Sequence, residues 1–232
     1  MTQITILGIS GSHRKGATEY CVQEALKAAE EFPGVTTRFV SLRGKKLSHC
    51  IHCNACIKNK VPCIIKDDFQ EVYEEFLKAD AYIIGTPVYQ ASATPLLQDF
   101  FSRIRPTGLV YPGILANKVG GAIATGGTRH GGQEMTNLVI HNFFTTYEIL
   151  VTAGPMGNYT GACVWTKDLK EEGAAADEVG MLRVRGLGKR IAEVALILKA
   201  GKESLAAQNI SFDAINKLWS EKKDDLASGK IQ

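Results

Sequence analysis

Short apolar runs rich in β-branched residues alternate along this chain with longer segments whose apolar residues recur at helical spacing. The apolar runs predict five strands, over residues 3–9, 35–42, 81–85, 118–125 and 149–152, the first of them buried on both faces. The amphipathic segments predict helices over residues 17–32, 67–78 and 133–147, and a further helix from Thr94-Pro95 onward. Because strands and helices alternate, we predict a doubly wound α/β domain built on a five-stranded parallel sheet.

The segment after the fifth predicted strand has a different character. Residues 154–176 are rich in glycine and alanine and show no periodicity, which predicts a long loop. Helical spacing returns over residues 179–199. Three glycines in that segment, Gly180, Gly186 and Gly188, each weaken a helix by about 1 kcal/mol relative to alanine.

The C-terminal segment carries an apolar stripe that predicts a terminal amphipathic helix. Its members are Phe212, Ile215, Leu218, Trp219 and Leu226. The stripe packs either against its own chain or against a partner subunit. We therefore divide the chain into a domain over residues 1–200, with a cysteine-rich loop inserted at 44–66, and a C-terminal helical extension over residues 201–232.

Length and charge narrow the class of protein. The 232 residues suit one domain with an appendage, and a net charge of +3 is too small to indicate a nucleic-acid partner. No apolar run is long enough to cross a bilayer, and the chain runs from Met1 directly into a strand without a targeting peptide. We expect a cytoplasmic protein with no membrane partner, in which thiols stay reduced and serve metal or redox chemistry.

Four of the six cysteines lie in one short segment after the second predicted strand. Two residues separate Cys50 from Cys53 and Cys53 from Cys56, and six residues separate Cys56 from Cys63. This compact spacing lets thiolates from a single loop converge on a 4Fe-4S cluster. A structural zinc site uses the same ligands but usually divides them into two pairs that lie a dozen or more residues apart. The spacing favours the cluster, while zinc, redox-active thiols and buried thiols stay open as alternatives.

A candidate phosphate-binding loop follows the first predicted strand. Its candidate ligands are Ser10, Ser12, Arg14, Lys15, Gly16, Ala17 and Thr18. The hydroxyl groups, the two cations and the first N–H groups of the following helix all favour an anion. The segment lacks the lysine of a Walker A loop and the second glycine of a dinucleotide-binding loop. A polar turn that binds nothing is the alternative.

Three of the predicted loops follow the carboxyl ends of strands, where doubly wound sheets bind their ligands. They span residues 10–18, 86–94 and 126–132 and follow the first, third and fourth strands. One pocket can therefore collect side chains from all three loops.

These loops also carry motifs that resemble a known family. The motifs are Ser-x-Arg-x-Gly-x-Thr at 12–18, Thr-Pro-Val-Tyr at 86–89 and Gly-Gly-x-Arg-x-Gly-Gly-Gln-Glu at 126–134. Together they resemble the NADPH-dependent FMN reductases of the flavodoxin-like fold, and the compact cysteine motif narrows the resemblance to the iron–sulfur flavoproteins. The resemblance covers residues 1 to about 200. It implies FMN, one 4Fe-4S cluster in each chain, and homo-oligomers (dimers or tetramers) in which cluster and flavin approach each other between subunits.

The resemblance also implies roles for individual residues. The FMN phosphate would be bound by the loop that contains Ser10, Ser12, Arg14, Gly16 and Thr18. The isoalloxazine ring would be lined by Pro87, Val88, Tyr89 and Gln90, and its other edge by Gly126, Gly127 and Arg129. From the residues alone, Tyr89 could instead fill the core and Arg129 could be a solvated surface cation.

The leading functional hypothesis is an electron-transfer oxidoreductase. FMN would exchange two electrons with one partner such as NAD(P)H, and the cluster would exchange single electrons with a ferredoxin-like carrier. The residues single out no side chain as catalytic. A reductase of a small organic substrate, with residues 154–176 as a lid, and a non-catalytic module with a zinc-bound loop are the alternatives.

Six basic residues surround the cysteine segment: Arg43, Lys45, Lys46, Lys58, Lys60 and Lys66. They suit the docking of an acidic carrier, and a solvated basic face is the alternative.

Overall fold

The computed structural model describes residues 2–210 and consists of a parallel sheet with helices on both faces. In chain order the elements are β1 (Ile4–Ser10), α1 (Ala17–Ala29), β2 (Val35–Ser41), α2 (Ala55–Asn59), α3 (Phe69–Lys78), β3 (Ala81–Pro87), α4 (Pro95–Arg103), α5 (Arg105–Leu109), β4 (Val119–Gly126), α6 (Gln133–Thr146), β5 (Leu150–Val151), β6 (Ala162–Trp165), α7 (Lys170–Ala175) and α8 (Glu178–Ala207).

The strands lie in the order β2-β1-β3-β4-β5, and β6 also pairs with β4. Every pairing is parallel, with Ile6 beside Ala81 and Ala81 in turn beside Val119. The chain order therefore reverses between β1 and β3, which leaves a crevice for ligands beyond their carboxyl ends. The predicted doubly wound parallel sheet is confirmed.

Both faces of the sheet are buried, which explains why the strands appear in the sequence as apolar runs. Leu7 and Ile9 of β1 point to one face, where α3, α4 and α6 pack. Ile4 and Ile6 point to the other face, where α1 and α8 pack. All four side chains are at most 2% exposed.

The prediction of a long loop over residues 154–176 is wrong for the second half of that segment. Residues 162–165 form β6, which pairs with the last four residues of β4, while β5 pairs only with the first two. The two short strands thus share the fifth position of the sheet, with the intervening residues looped out between them. A four-residue strand is too short to show a period, and its glycine- and alanine-rich surroundings conceal it.

The helix boundaries also differ from those predicted. α1 ends at Ala29 rather than residue 32, and α3 begins at Phe69 rather than residue 67. The short helices α2 and α5 were not predicted, since five residues are too few to show a helical stripe.

The helix predicted over residues 179–199 is longer in the structure, where α8 extends to Ala207 and passes the proposed domain boundary at residue 200. The amphipathic helix predicted from Phe212 to Leu226 lies outside the described residues. Within residues 2–210, none of the helices combines the length and the apolar character that crossing a membrane requires.

Candidate functional site

The loop after β1 forms a buried polar turn in front of α1. Ser10, Ser12 and Thr18 are at most 4% exposed. The Ser12 hydroxyl donates to the Arg14 carbonyl oxygen at 2.7 Å and accepts from the Arg14 N–H at 3.2 Å. Gly16 precedes α1 and supplies no side-chain cap, so the first N–H groups of the helix lack partners within the helix. The turn thus combines hydroxyl and N–H groups in the way that phosphate binding requires.

The tip of this loop is exposed. Arg14 and Lys15 are both exposed, and Ala17 is the first residue of α1. The His13 ring lies 6.2 Å from the Tyr89 ring, measured between centroids. The tip therefore lies beside the loop that follows β3.

The loop after β3 begins at Pro87 and turns sharply. The Val88 N–H donates to the Thr125 carbonyl oxygen at 2.9 Å, which ties this loop to β4. Tyr89 and Ser92 exchange two backbone hydrogen bonds, of 2.9 and 3.0 Å. The Tyr89 ring is 46% exposed, so this residue does not fill the core as the alternative reading would require.

Two residues at the tip of that turn have strained backbones. Gln90 and Ala91 adopt left-handed conformations, with φ of 49° and 58°. Such a conformation costs a non-glycine residue about 1–2 kcal/mol and is concentrated at ligand-binding sites.

The loop after β4 is held by the side chain of Gln133, which is 2% exposed. Its Nε2 donates to the Thr128 carbonyl oxygen at 2.6 Å, and its Oε1 accepts from the Gly131 N–H at 2.8 Å. The Arg129 guanidinium lies 4.2 Å above the centre of the Trp165 ring. Arg129 thus packs on an aromatic face while the residue as a whole stays exposed.

Direct contacts interlock the three predicted loops. The Thr94 hydroxyl donates to the Gly11 carbonyl oxygen at 2.6 Å, and the hydroxyls of Thr18 and Thr125 lie 2.8 Å apart. A Cβ placed on Gly132 would lie 2.8 Å from the Ala91 Cβ, so the loop after β4 also touches the loop after β3. The predicted residues of all three loops therefore line one edge of the sheet.

A fourth segment, at the carboxyl end of β6, joins the same edge and was not predicted. The Trp165 Nε1–H donates to the Gly127 carbonyl oxygen at 2.9 Å, and the Lys167 ammonium lies 4.6 Å from the Trp165 ring centre. The Lys170 Cβ lies 3.4 Å from the position that a Cβ on Gly16 would take. Sequence reasoning missed these residues because it placed them in a loop. Four residues are too few to show a period, so the sequence carried no periodic signal for them.

The cysteine loop follows β2 and contains the short helix α2. Cys50, Cys56 and Cys63 are half-buried, Cys53 is exposed, and all four thiols are free. Burial raises the pKa of the Cys56 thiol, and the neighbouring Cys63 and Cys50 raise it further, while the Ile57 N–H and the Arg105 guanidinium oppose the change. Within residues 2–210, however, no set of three or more His, Cys, Asp or Glu side chains is already arranged to hold a metal.

Residues of α4, α5 and the following turn hold this loop in place, and we call Ser102, Arg103, Arg105 and Tyr111 the loop seat. Ser102 accepts a hydrogen bond from the Cys50 N–H at 3.2 Å, and Arg105 donates to the Asn54 side chain at 2.5 Å. The Tyr111 hydroxyl donates to the Lys60 carbonyl oxygen at 3.1 Å. Arg103, which is fully buried, contacts both ends of the loop.

Sequence reasoning missed the loop seat because its residues lie about 40 to 50 positions beyond the loop residues that they contact. The available signal was the pair of arginines, Arg103 and Arg105, at the end of an otherwise apolar helical segment. The imidazoles of His49 and His52, which flank the cysteines, are exposed.

The sequence matches the family model described as NADPH-dependent FMN reductase over residues 4–159. Three archaeal proteins named iron–sulfur flavoprotein are similar over most of their length. One from Methanocaldococcus jannaschii is 43% identical over 82% of this chain and 96% of its own, and one from Archaeoglobus fulgidus is 40% identical over the same shares. One from Methanosarcina thermophila is 32% identical over 85% of this chain and 98% of its own.

Solved structures show the same fold at lower sequence identity. A flavone reductase has a TM-score of 0.62 and 23% identity, covering 83% of this chain and 63% of its own. RosB, solved with a bound 8-demethyl-8-formylriboflavin-5'-phosphate intermediate, has a TM-score of 0.66 and 15% identity, covering 95% of this chain and 87% of its own. From the family match and the long, close alignments, the chain belongs to the iron–sulfur flavoproteins of the NADPH-dependent FMN reductase family.

Proposed function

We propose that this protein is an electron-transfer oxidoreductase that holds FMN at the sheet edge and a 4Fe-4S cluster in the cysteine loop. Its family makes it an FMN-dependent oxidoreductase that carries FMN and an iron–sulfur cluster. The observation that carries the more specific proposal is the interlocking of three separately predicted loops at one edge, joined by the hydroxyl pair of Thr18 and Thr125. When bound, FMN takes up one or two electrons and the cluster takes up one, so the pair links two-electron and one-electron partners.

The loop after β1 would hold the FMN phosphate. Its buried hydroxyls on Ser10, Ser12 and Thr18 supply donors, and the free N–H groups from Gly16 and Ala17 onward point the positive end of α1 at the anion. The exposed cations Arg14 and Lys15 add charge at the rim of the site. Lys170 of the fourth segment begins α7 beside this loop and adds a further cation.

The other two loops would hold the isoalloxazine ring. Pro87, Val88, Tyr89 and Gln90 would line one side, because their turn is fastened to β4 and carries the half-exposed Tyr89 ring. Gly126, Gly127 and Arg129 would line the other edge. Arg129 packs on Trp165, and its positive charge would stabilise the negative charge that a reduced flavin carries near N1.

The cysteine loop would supply four thiolates from Cys50, Cys53, Cys56 and Cys63. The donor set fits an iron–sulfur cluster, because four free thiols lie on one loop that the loop seat fixes at both ends. All six cysteines of the chain are free thiols, which supports the proposal of a cytoplasmic protein whose thiols stay reduced.

Two kinds of partner follow from this chemistry. NAD(P)H suits the flavin as a two-electron partner, and a ferredoxin-like protein suits the cluster as a one-electron partner. Exposed apolar side chains on α6 (Met135 and Leu138) and on β5 (Leu150 and Val151) support assembly into a homo-oligomer, a dimer or a tetramer.

The proposal is tested by the composition of protein purified without oxygen. We expect one FMN and about four iron and four sulfide per chain, the content of a cubane cluster. Cys53→Ser should lose iron and sulfide but keep FMN. Cys163→Ser, which removes a half-buried thiol of β6, should keep both groups.

A colourless protein that contains zinc without sulfide would reject the oxidoreductase in favour of the zinc-bound module. A flavoprotein that reduces a small organic substrate at a rate unaffected by Cys56→Ala would reject the role of the cluster in electron transfer.

A further inference from the structure

Arg103 is a buried arginine whose side chain is 0% exposed. It ends α4, and its guanidinium lies 4.3 Å from the centre of the Phe69 ring. A guanidinium removed from water must find partners for its N–H groups, because an unpaired buried charge costs several kcal/mol. The hydrogen-bond partners of Arg103 therefore indicate which part of the structure this residue stabilises.

All of those partners belong to the two ends of the cysteine loop. Nη1 donates to the Asp67 carboxylate at 2.5 and 2.7 Å and to the Ser48 carbonyl oxygen at 3.3 Å. Nη2 donates to the Ile65 carbonyl oxygen at 2.8 Å. The Nε–H donates to the Cys63 Sγ at 3.3 Å.

Asp67 completes the arrangement by balancing the charge. Burial alone would raise the pKa of its carboxyl group, but the Arg103 guanidinium and the N–H groups of Ser48 and Phe69 outweigh burial and lower the pKa. Asp67 therefore stays ionised and offsets most of the positive charge of Arg103. Because Asp67 balances this charge, Arg103 acts on the Cys63 sulfur mainly through its hydrogen bond and less through its net positive charge.

We propose that Arg103 is a positioning residue that sets the reduction potential of the iron–sulfur centre through its hydrogen bond to Cys63. This inference rests on the proposed function, in which Cys63 is a cluster ligand. Reduction of a cluster adds negative charge that its sulfur ligands share, and a hydrogen bond to a sulfur ligand stabilises that charge. The bond from Nε therefore raises the potential, while the bonds from Nη1 and Nη2 fix the loop so that the sulfur stays in place.

Arginine suits this task better than lysine does. Its planar fork presents donors in three directions at fixed angles, so one side chain binds the carboxylate, the carbonyl oxygens and the sulfur together. A lysine at this position would keep the charge near Asp67 but would have no Nε–H directed at Cys63.

Three variants test the proposal in the loaded protein, purified without oxygen. Arg103→Lys removes the donor to Cys63 and keeps the charge. Asp67→Asn keeps the donor and removes the balancing negative charge. Arg105→Lys is the matched control, since Arg105 binds the same loop at Asn54 and contacts no cysteine sulfur within the described residues.

The measurements are iron and sulfide content, the cluster potential from a titration followed by electron paramagnetic resonance, and the flavin potential from absorbance. We expect Arg103→Lys to lower the equilibrium constant for one-electron reduction of the cluster about tenfold. This corresponds to a shift of the cluster potential by about 59 mV to lower values. Asp67→Asn should shift the cluster potential upward, Arg105→Lys should leave it unchanged, and the flavin potential should stay constant in all three.

An Arg103→Lys protein with full iron content and an unchanged cluster potential would overturn the proposal and leave Arg103 with a purely structural role. If that variant fails to assemble a cluster, Asp67→Asn decides, and an unchanged potential there overturns the proposal as well. Wild-type protein without iron or flavin would instead overturn the proposed function itself.

Discussion

Burial governs the protonation of Lys118, which directly precedes β4. Its ammonium donates to the carbonyl oxygens of Leu77 and Ala79 at the end of α3, at 2.9 and 2.6 Å. Burial lowers its pKa to about 8, although Asp80 opposes this change, and the nearby Lys202 and Lys199 lower the pKa further. The folded state therefore releases this proton at a lower pH than the unfolded chain does.

We predict that Lys118→Met abolishes the contribution of the Lys118 proton to the pH dependence of the free energy of unfolding. Between pH of about 8 and the ordinary lysine value of 10.5, the unfolded chain holds the Lys118 proton and the folded protein does not. The free energy of unfolding therefore rises with pH across this interval, because the cost of burying the charged ammonium is fully present below it and is relieved as the proton leaves. The difference between wild type and Lys118→Met, from urea midpoints at several pH values, should increase from pH 8 toward 10.5. A difference that is flat or falls over that range would contradict this prediction.

Among the elements, α8 shows how a glycine that appears unfavourable in a helix can be required by packing. A Cβ on Gly188 would lie 2.0 Å from the Ala25 carbonyl oxygen of α1, so the two helices approach each other directly at this residue. Gly201 lies in the same helix, and a Cβ there would meet nothing within 4 Å. Glycine lowers helix propensity equally at the two positions, but Gly188 lies in a close helix contact and Gly201 lies in open space.

Alanine substitutions at these two glycines should therefore have opposite effects. Gly188→Ala forces α8 away from α1 and should lower the free energy of unfolding by about 1–3 kcal/mol. Gly201→Ala only improves helix propensity and should raise it by roughly 0.5–1 kcal/mol. Denaturant unfolding of both variants measures the two changes. A stable Gly188→Ala protein would show that the contact between α1 and α8 is loose.

At the scale of the whole molecule, the basic surface around the cysteine loop is smaller than its sequence indicates. The Arg43 guanidinium pairs with the Glu19 carboxylate at 3.1 Å, and the Lys45 ammonium pairs with that of Glu71 at 2.8 Å. The other four cations, Lys46, Lys58, Lys60 and Lys66, are exposed. We expect these four to form the surface that meets an acidic electron carrier.

Reduction by an acidic one-electron carrier should therefore slow severalfold as ionic strength rises from about 0.05 to about 0.5 M, because salt screens exposed charges. The Lys58→Gln, Lys60→Gln double variant should slow it at low salt and weaken its salt dependence. Lys27→Gln is the control, since Lys27 lies in the last turn of α1, away from the cysteine loop. Stopped-flow measurements compare the reduction rates of the wild type and the variants. A wild-type rate that does not change with ionic strength would reject the docking surface.

Local patterns in the chain were enough to predict the sheet, the polar turn in front of α1 and the compact cysteine motif. Each of these depends on features that are local in the chain: runs of apolar residues, a strand followed by a polar turn and a helix, and thiols spaced by two residues. The meeting of the three predicted loops at one edge could also be predicted, because parallel strands bring their carboxyl ends to one edge.

The distant residues that complete these features became visible in the three-dimensional packing. β6 exists as a strand because β4 offers it a partner, and Trp165 reaches Arg129 only through that pairing. Arg103 has no local pattern that links it to Cys63, from which 39 residues separate it along the chain. Such contacts arise from the packing of α4 against the cysteine loop, which depends on the whole fold and leaves no period or spacing in the sequence.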